Sequence, residues 1–239
     1  MFELIDKELK QNASKLEAKK LQKYFKTEKG EYGEGDIFLG LNLDLLNQIA
    51  KKYKNIDFND IKKLLKSKYH EERTLSLIML VNLYKNKKSD KKKIVDFYLN
   101  NLETINNWDL VDMSCYKILG DYLFNYQNKN WDILKDFSKS KNLWERRISI
   151  VSTMYFIKNG YFEPTFEICG ILLINEHDLI NKATGWMLRE VGKKDYNALK
   201  QFLMENIKNI SSITLSYATE KFEKEERDKL RLLRKNSKL

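Results

Sequence analysis

The chain has 239 residues, room for one large domain or a stack of several small units. With 42% hydrophobic and 12% aromatic residues it can bury a substantial core, which excludes a disordered chain. A formal net charge of +10 favours a polyanionic partner, although charge alone does not separate DNA from RNA, an anionic membrane or plain solubility.

One proline and nine glycines, among recurring leucine, lysine, glutamate and isoleucine, favour helices joined by short turns. Only seven of the 44 basic residues are arginines: Arg73, Arg146, Arg147, Arg189, Arg227, Arg231 and Arg234. Where lysine is the default cation, the planar fork of an arginine points to phosphate or carboxylate gripped in two places. Cys115 and Cys169 lie far apart among apolar residues, without metal spacing or a disulfide framework. They read as small buried thiols in a reducing compartment. MFELIDKELK lacks the apolar run of a signal peptide, and FEICGILLI is about half a membrane span. The expectation is a cytoplasmic protein with no membrane contact.

In chain order, residues 3–26 form an amphipathic pair of helical segments ending near Tyr24 and Phe25. KTEKGEYGEGDIFLG (26–40) holds four glycines and reads as a loop. It lacks the GKS/GKT of a P-loop and no strand precedes it, so it is expected to be an irregular connection. Paired helices follow, one of each pair starting at HEERTLSLIMLVNLY (70–84), NNWDLVDMSCYKILGDYL (106–123), NLWERRISIVSTMYFIKNG (142–160), DLINKATGWMLREVGKK (178–194) and SSITLSYATEKF (211–222). With Arg73, Trp108, Arg147 and Trp186 as markers the spacings are 35, 39 and 39 residues. A two-helix unit recurring at this period predicts an all-α fold: HEAT-like repeats forming one curved α-solenoid domain over 1–239. KNKKSDKKK (85–93) reads as a solvated linker, and 221–239 as a C-terminal cap with a basic tail.

Helical wheels at 100° per residue sort the marked residues. In the helix beginning at Trp108 the apolar arc is Val111, Cys115, Ile118, Leu119 and Tyr122. Asp112 lies roughly 80° from its centre and shares an edge with Trp108 at i+4. Asp112 reads either as a functional carboxylate or as an acid favoured near a helix N-terminus. In the next marked helix Trp144, Ile148, Val151 and Tyr155 define the arc, placing Trp144 in the core. Arg147 flanks that arc by roughly 70°, where an arginine usually packs its stem and holds its head in water. In 178–194 the arc is Ile180, Ala183, Thr184, Met187 and Val191. Trp186 points roughly 115° away, either onto a neighbouring repeat or towards a ligand. Trp131 reads as inter-helix packing. His70 (HEER) and His177 (NEHD) each stand alone near a helix start, where capping or surface roles are expected.

Together, WDLVD (Trp108 to Asp112), WERR (Trp144 to Arg147) and GWMLRE (Gly185 to Glu190) resemble the bacterial alkylpurine DNA glycosylases of the AlkD-like DNA alkylation repair family. YGEGDIFLGLNLDLLNQIAKKY, HEERTLSLIML and LSYATEKF extend the resemblance over most of the chain. Two positions depart from the pattern: NLDLL (42–46) stands where a proline and an arginine are expected, and Ser216 replaces an arginine before Tyr217.

The resemblance implies a HEAT-like solenoid holding duplex DNA on a concave basic face, acting as a monomer without metal or cofactor. It implies that Trp108 and Trp186 flank the alkylated purine, Asp112 lies near the deoxyribose, and Arg147, with Tyr24 and Arg189, contacts DNA. Two other readings of the sequence stay open: a non-catalytic relative that binds bent or branched DNA, and a scaffold with a protein in its groove.

Overall fold

A computed structural model describes residues 1–174 and 177–237. Among them the chain is helical, and Ile37 and Tyr69 form an isolated parallel bridge rather than a strand. No described helix is long and apolar enough to cross a membrane. The chain divides into two compact units, Met1–Ser114 and Cys115–Leu239.

The first unit runs α1 (Phe2–Gln11), α2 (Lys15–Tyr24), α3 (Leu43–Lys52), α4 (Phe58–Leu65), α5 (His70–Lys85), α6 (Lys91–Leu99), a 3₁₀ turn at Leu102–Thr104, and α7 (Trp108–Cys115). Polar side chains set the helix starts by accepting orphan backbone N–H groups. Ser14 caps α2, Asn42 caps α3, Asp57 caps α4 and Asp90 caps α6. Asn42 thus has a local task, accepting from Leu45 N at 2.9 Å. The main core joins Ile5 and Leu9 of α1, Leu46 and Ile49 of α3, Ile61 and Leu64 of α4, and Leu75 and Ile78 of α5. α3, α4 and α6 pack on α5. This helix is buried over almost its whole length, including His70, Glu71, Glu72 and Arg73 in its first turn. Such charges tolerate burial only when paired or hydrogen-bonded.

The second unit runs through a π-helical turn (Tyr116–Gly120), α8 (Asp121–Tyr126), α9 (Asp132–Ser138), α10 (Leu143–Ser152), α11 (Met154–Lys158), α12 (Glu163–Leu172), α13 (Asp178–Gly192), α14 (Tyr196–Glu205), α15 (Ser212–Ala218) and α16 (Lys224–Asn236). α10 packs on α9 and α13, and α13 packs on α12, α14 and α15. The expected arc of α13 is buried throughout, as are Ile148 and Val151 of α10. Trp144, expected in the core, is only half-buried. A wheel reports angle and not depth, and Trp144 stands in the first turn of α10, where the arc begins at the rim.

Close helix approach explains two glycines. A Cβ on Gly120 would lie 2.3 Å from Ser152 O, and one on Gly185 2.5 Å from Tyr217 Cβ and 2.6 Å from Thr214 O. Cys115 and Cys169 are buried thiols, and burial pushes the Cys169 pKa far up. Trp131 packs edge-on against Phe156 and Tyr161, as an inter-helix residue should. α16 buries Leu230, and Lys238 and Leu239 of the tail, and Glu176 beside His177, lie outside the described residues.

Candidate nucleic-acid site

In the first unit, Tyr24 ends α2 and Trp108 begins α7. Their rings meet edge-on at 6.0 Å between centroids. Tyr24 is 64% exposed, whereas Trp108 is half-buried against Ala18, Phe25 and Phe38. Phe25 lies under the indole, 5.3 Å away with planes 18° apart, and Phe38 stacks on Phe25 in turn at 5.0 Å. The result is an aromatic stack with one end in the core and one open edge. Asp112 follows Trp108 by one helical turn and is half-buried.

The glycine-rich segment 26–40 makes this stack possible. It is irregular, as expected, with positive φ at Gly30, Gly35 and Gly40, a conformation that costs glycine little. At Gly40 a Cβ would fall 2.2 Å from Ser14 O, so only glycine lets the segment cross the start of α2. The Glu71 carboxylate accepts from the backbone N–H groups of Leu39, Gly40 and Leu41 at 2.9, 2.7 and 3.2 Å. His70 N–H donates to Ile37 O at 2.8 Å. Strapped down in this way, the segment delivers Phe38 to the stack and Asp36 to the interior.

His70 is therefore neither a cap nor a surface residue. It is 2% exposed, with Nδ1 3.0 Å from Asp36 Oδ2 and Nε2 2.8 Å from Asp109 Oδ2. Burial alone would lower its pKa, but the hydrogen bonds to Asp109 and Asp36 outweigh it and raise the pKa to about 9. Burial also works against ionised Asp36, yet the bonds from His70 and Asn107 and the charge of Arg73 hold its pKa below the usual value. Arg73 Nη2 donates to Asp36 Oδ1, and its Nη1 donates to Ser67 O at 3.0 Å. Asn107 closes the network: its Nδ2 donates to Asp36 at 3.1 Å, and its Oδ1 accepts from the Trp108 N–H at 2.8 Å. The sequence shows the acids beside His70 only as near neighbours in HEER. Its actual partners lie 34 and 39 residues away, and no local signal names them.

In the second unit, Trp186 is half-buried on α13, off the core arc as the wheel places it. Gly185 beside it accepts the close approach of α15, where Thr214 Oγ1 bonds Asn181 Oδ1 at 3.1 Å. Arg147 corrects the sequence expectation of a head in water. It is 6% exposed, and its Nη1 donates to Leu179 O, in the first turn of α13, at 2.6 Å. Arg189 is ion-paired with Glu220 and lies 3.7 Å from Glu190. His177 does cap, accepting from Leu179 N at 3.2 Å.

Residues 5–222 match the model of the DNA alkylation repair enzyme family. The chain belongs to that family. Among solved structures, a protein of Enterococcus faecalis described as a predicted DNA alkylation repair enzyme superposes with a TM-score of 0.71 at 16% identity, over 89% of this chain and 97% of that one. AlkD2 from Streptococcus mutans superposes with a TM-score of 0.54 at 21% identity, over 88% and 99%. At these identities the likeness speaks for the shared helical fold. No curated protein matches this chain in sequence.

Proposed function

We propose that this family member is a monofunctional DNA glycosylase that hydrolyses the N-glycosidic bond of N3- and N7-alkylated purines in duplex DNA, using no metal. The observation that carries this reading is the open edge of Tyr24 against Trp108, with the Asp112 carboxylate one turn along the same helix. Alkylation at N3 or N7 makes the purine a cation and a good leaving group. An aromatic face attracts such a cation by about 0.5–2 kcal/mol. As the glycosidic bond breaks, positive charge grows on the deoxyribose; a fixed carboxylate stabilises it and orients the attacking water. In this reading Asp112 serves the sugar and Trp108 the base. Trp186 supplies a further indole contact to the base, and Arg147, Arg189 and Tyr24 contact the DNA strand. Duplex DNA carrying alkylated purines is the partner, with the protein acting as a monomer in the cytoplasm.

The test is release of 7-methylguanine and 3-methyladenine from methylated duplex DNA. The parent chain should leave abasic sites, and Asp112→Asn should lose release by about 100-fold or more. Full activity in Asp112→Asn would remove the assigned role. Salt-sensitive DNA binding by the parent without any base release would instead favour the non-catalytic DNA-binding reading.

A further inference from the structure

The mechanism above leaves unused the most heavily buried charged cluster that touches the Trp108 stack. His70 connects to Trp108 along three routes, all within the first unit. Through Asp109 it holds the residue next to Trp108. Through Asp36 and Asn107 it reaches the Trp108 backbone N–H. Its ring also stacks on Phe38 at 4.5 Å and lies 5.0 Å from Phe25, the ring on which the indole rests.

We propose that His70 is a positioning residue for Trp108: an imidazolium clamped between Asp36 and Asp109 that sets the start of α7 and the plane of the indole. This deepens the glycosylase reading, because it names what aims the aromatic face at the lesion. Both ring nitrogens face carboxylates, so the protonated ring donates both bonds and either neutral tautomer can donate only one. The charged groups facing His70 are Asp36 from the 26–40 segment, Asp109 from α7, and Arg73 from its own helix, whose Nη2 is 3.5 Å from Nδ1. α2 faces it with the ring of Phe25. Two carboxylates thus balance two cations in a site where His70, Asp36 and Arg73 are buried and Asp109 lies at the edge. Loss of the His70 proton breaks one of these two bonds; Asp36 keeps Arg73 and Asn107 as donors, whereas loss of the Asp109 bond removes the tie between α5 and α7 and frees α7 to turn.

The experiment reads the indole directly, by fluorine NMR of the full chain labelled with 5-fluorotryptophan, with Trp108→Phe assigning the resonance. A Tyr24→Phe background removes the neighbouring phenol as a source of titration. Between about pH 6 and about pH 10 the Trp108 resonance should shift with a midpoint near 9, together with the His70 ring protons. The same resonance should show no such step in His70→Asn. A Trp108 resonance that stays put while His70 titrates in the folded chain would overturn the proposal, and so would a His70 already neutral at pH 7. If His70→Asn does not fold, the parent titration alone decides. Because no base release is measured, a chain without glycosylase activity would sink the functional reading and leave this one standing or falling by itself.

Discussion

His70 and Asp109 join the first turn of α5 to the first turn of α7, imidazole Nε2 to carboxylate Oδ2 at 2.8 Å, across 39 residues of sequence. His70 is 2% exposed, and a buried charge left without its partner is costly. Stability should therefore carry a pH-dependent contribution from this histidine. Its folded pKa, about 9, lies above the ordinary value of 6.5, so the stabilisation is complete below about pH 6.5 and is lost as pH rises through 9. The span corresponds to on the order of 3 kcal/mol. Urea unfolding at about pH 6 and about pH 10 should show that loss in the parent chain, and His70→Asn should be weaker at the low pH without the same decline.

Tyr24 projects from the stack with 64% of its surface exposed. Tyr24→Ala should leave thermal stability within about 1 kcal/mol, since little buried area is lost. Affinity for methylated duplex DNA should fall by about 2- to 30-fold, the range of one cation–π or stacking contact. Unchanged affinity, measured by fluorescence anisotropy, would remove Tyr24 from the DNA surface.

Glu71 is 3% exposed and accepts three backbone N–H groups of the segment carrying Asp36 and Phe38. Glu71→Ala strands those donors and should cost about 3–5 kcal/mol by chemical denaturation. Hydrogen exchange should speed up first at Leu39, Gly40 and Leu41.

Two glycines provide a paired test of packing. Gly185→Ala forces a methyl against Tyr217 and Thr214 and should destabilise by about 1–3 kcal/mol. Gly170→Ala, in α12 with open space around its Cα, should stabilise by about 0.5–1 kcal/mol through helix propensity. Melting temperatures that move the same way in both variants would contradict the geometry.

Much of this protein was legible in its residues. Apolar spacing places helices at 70–84 and 178–194, and over 142–160, where the structure has α10 and α11, because helix period is a local property; the buried arc of α13 follows from it, as do buried Val111 and Cys115 of α7. The strings WDLVD, WERR and GWMLRE point to the family that the match over residues 5–222 shows. The wheel also put Trp186 off its core face without help from any contact.

Three-dimensional partners were beyond that reach. The sequence placed Arg147 at an edge, but only the tertiary structure turned its guanidinium inward onto Leu179 O. It showed His70 beside its chain neighbours, but only the closure of 26–40 across α2 and α5 brought Asp36 to one ring nitrogen, while α7 brought Asp109 to the other. Periodicity tells which way a side chain points; which charges meet once water is excluded depends on segments distant in the chain. That second question decides whether a histidine among acids is a solvated cap or, as here, a buried ring held between two carboxylates.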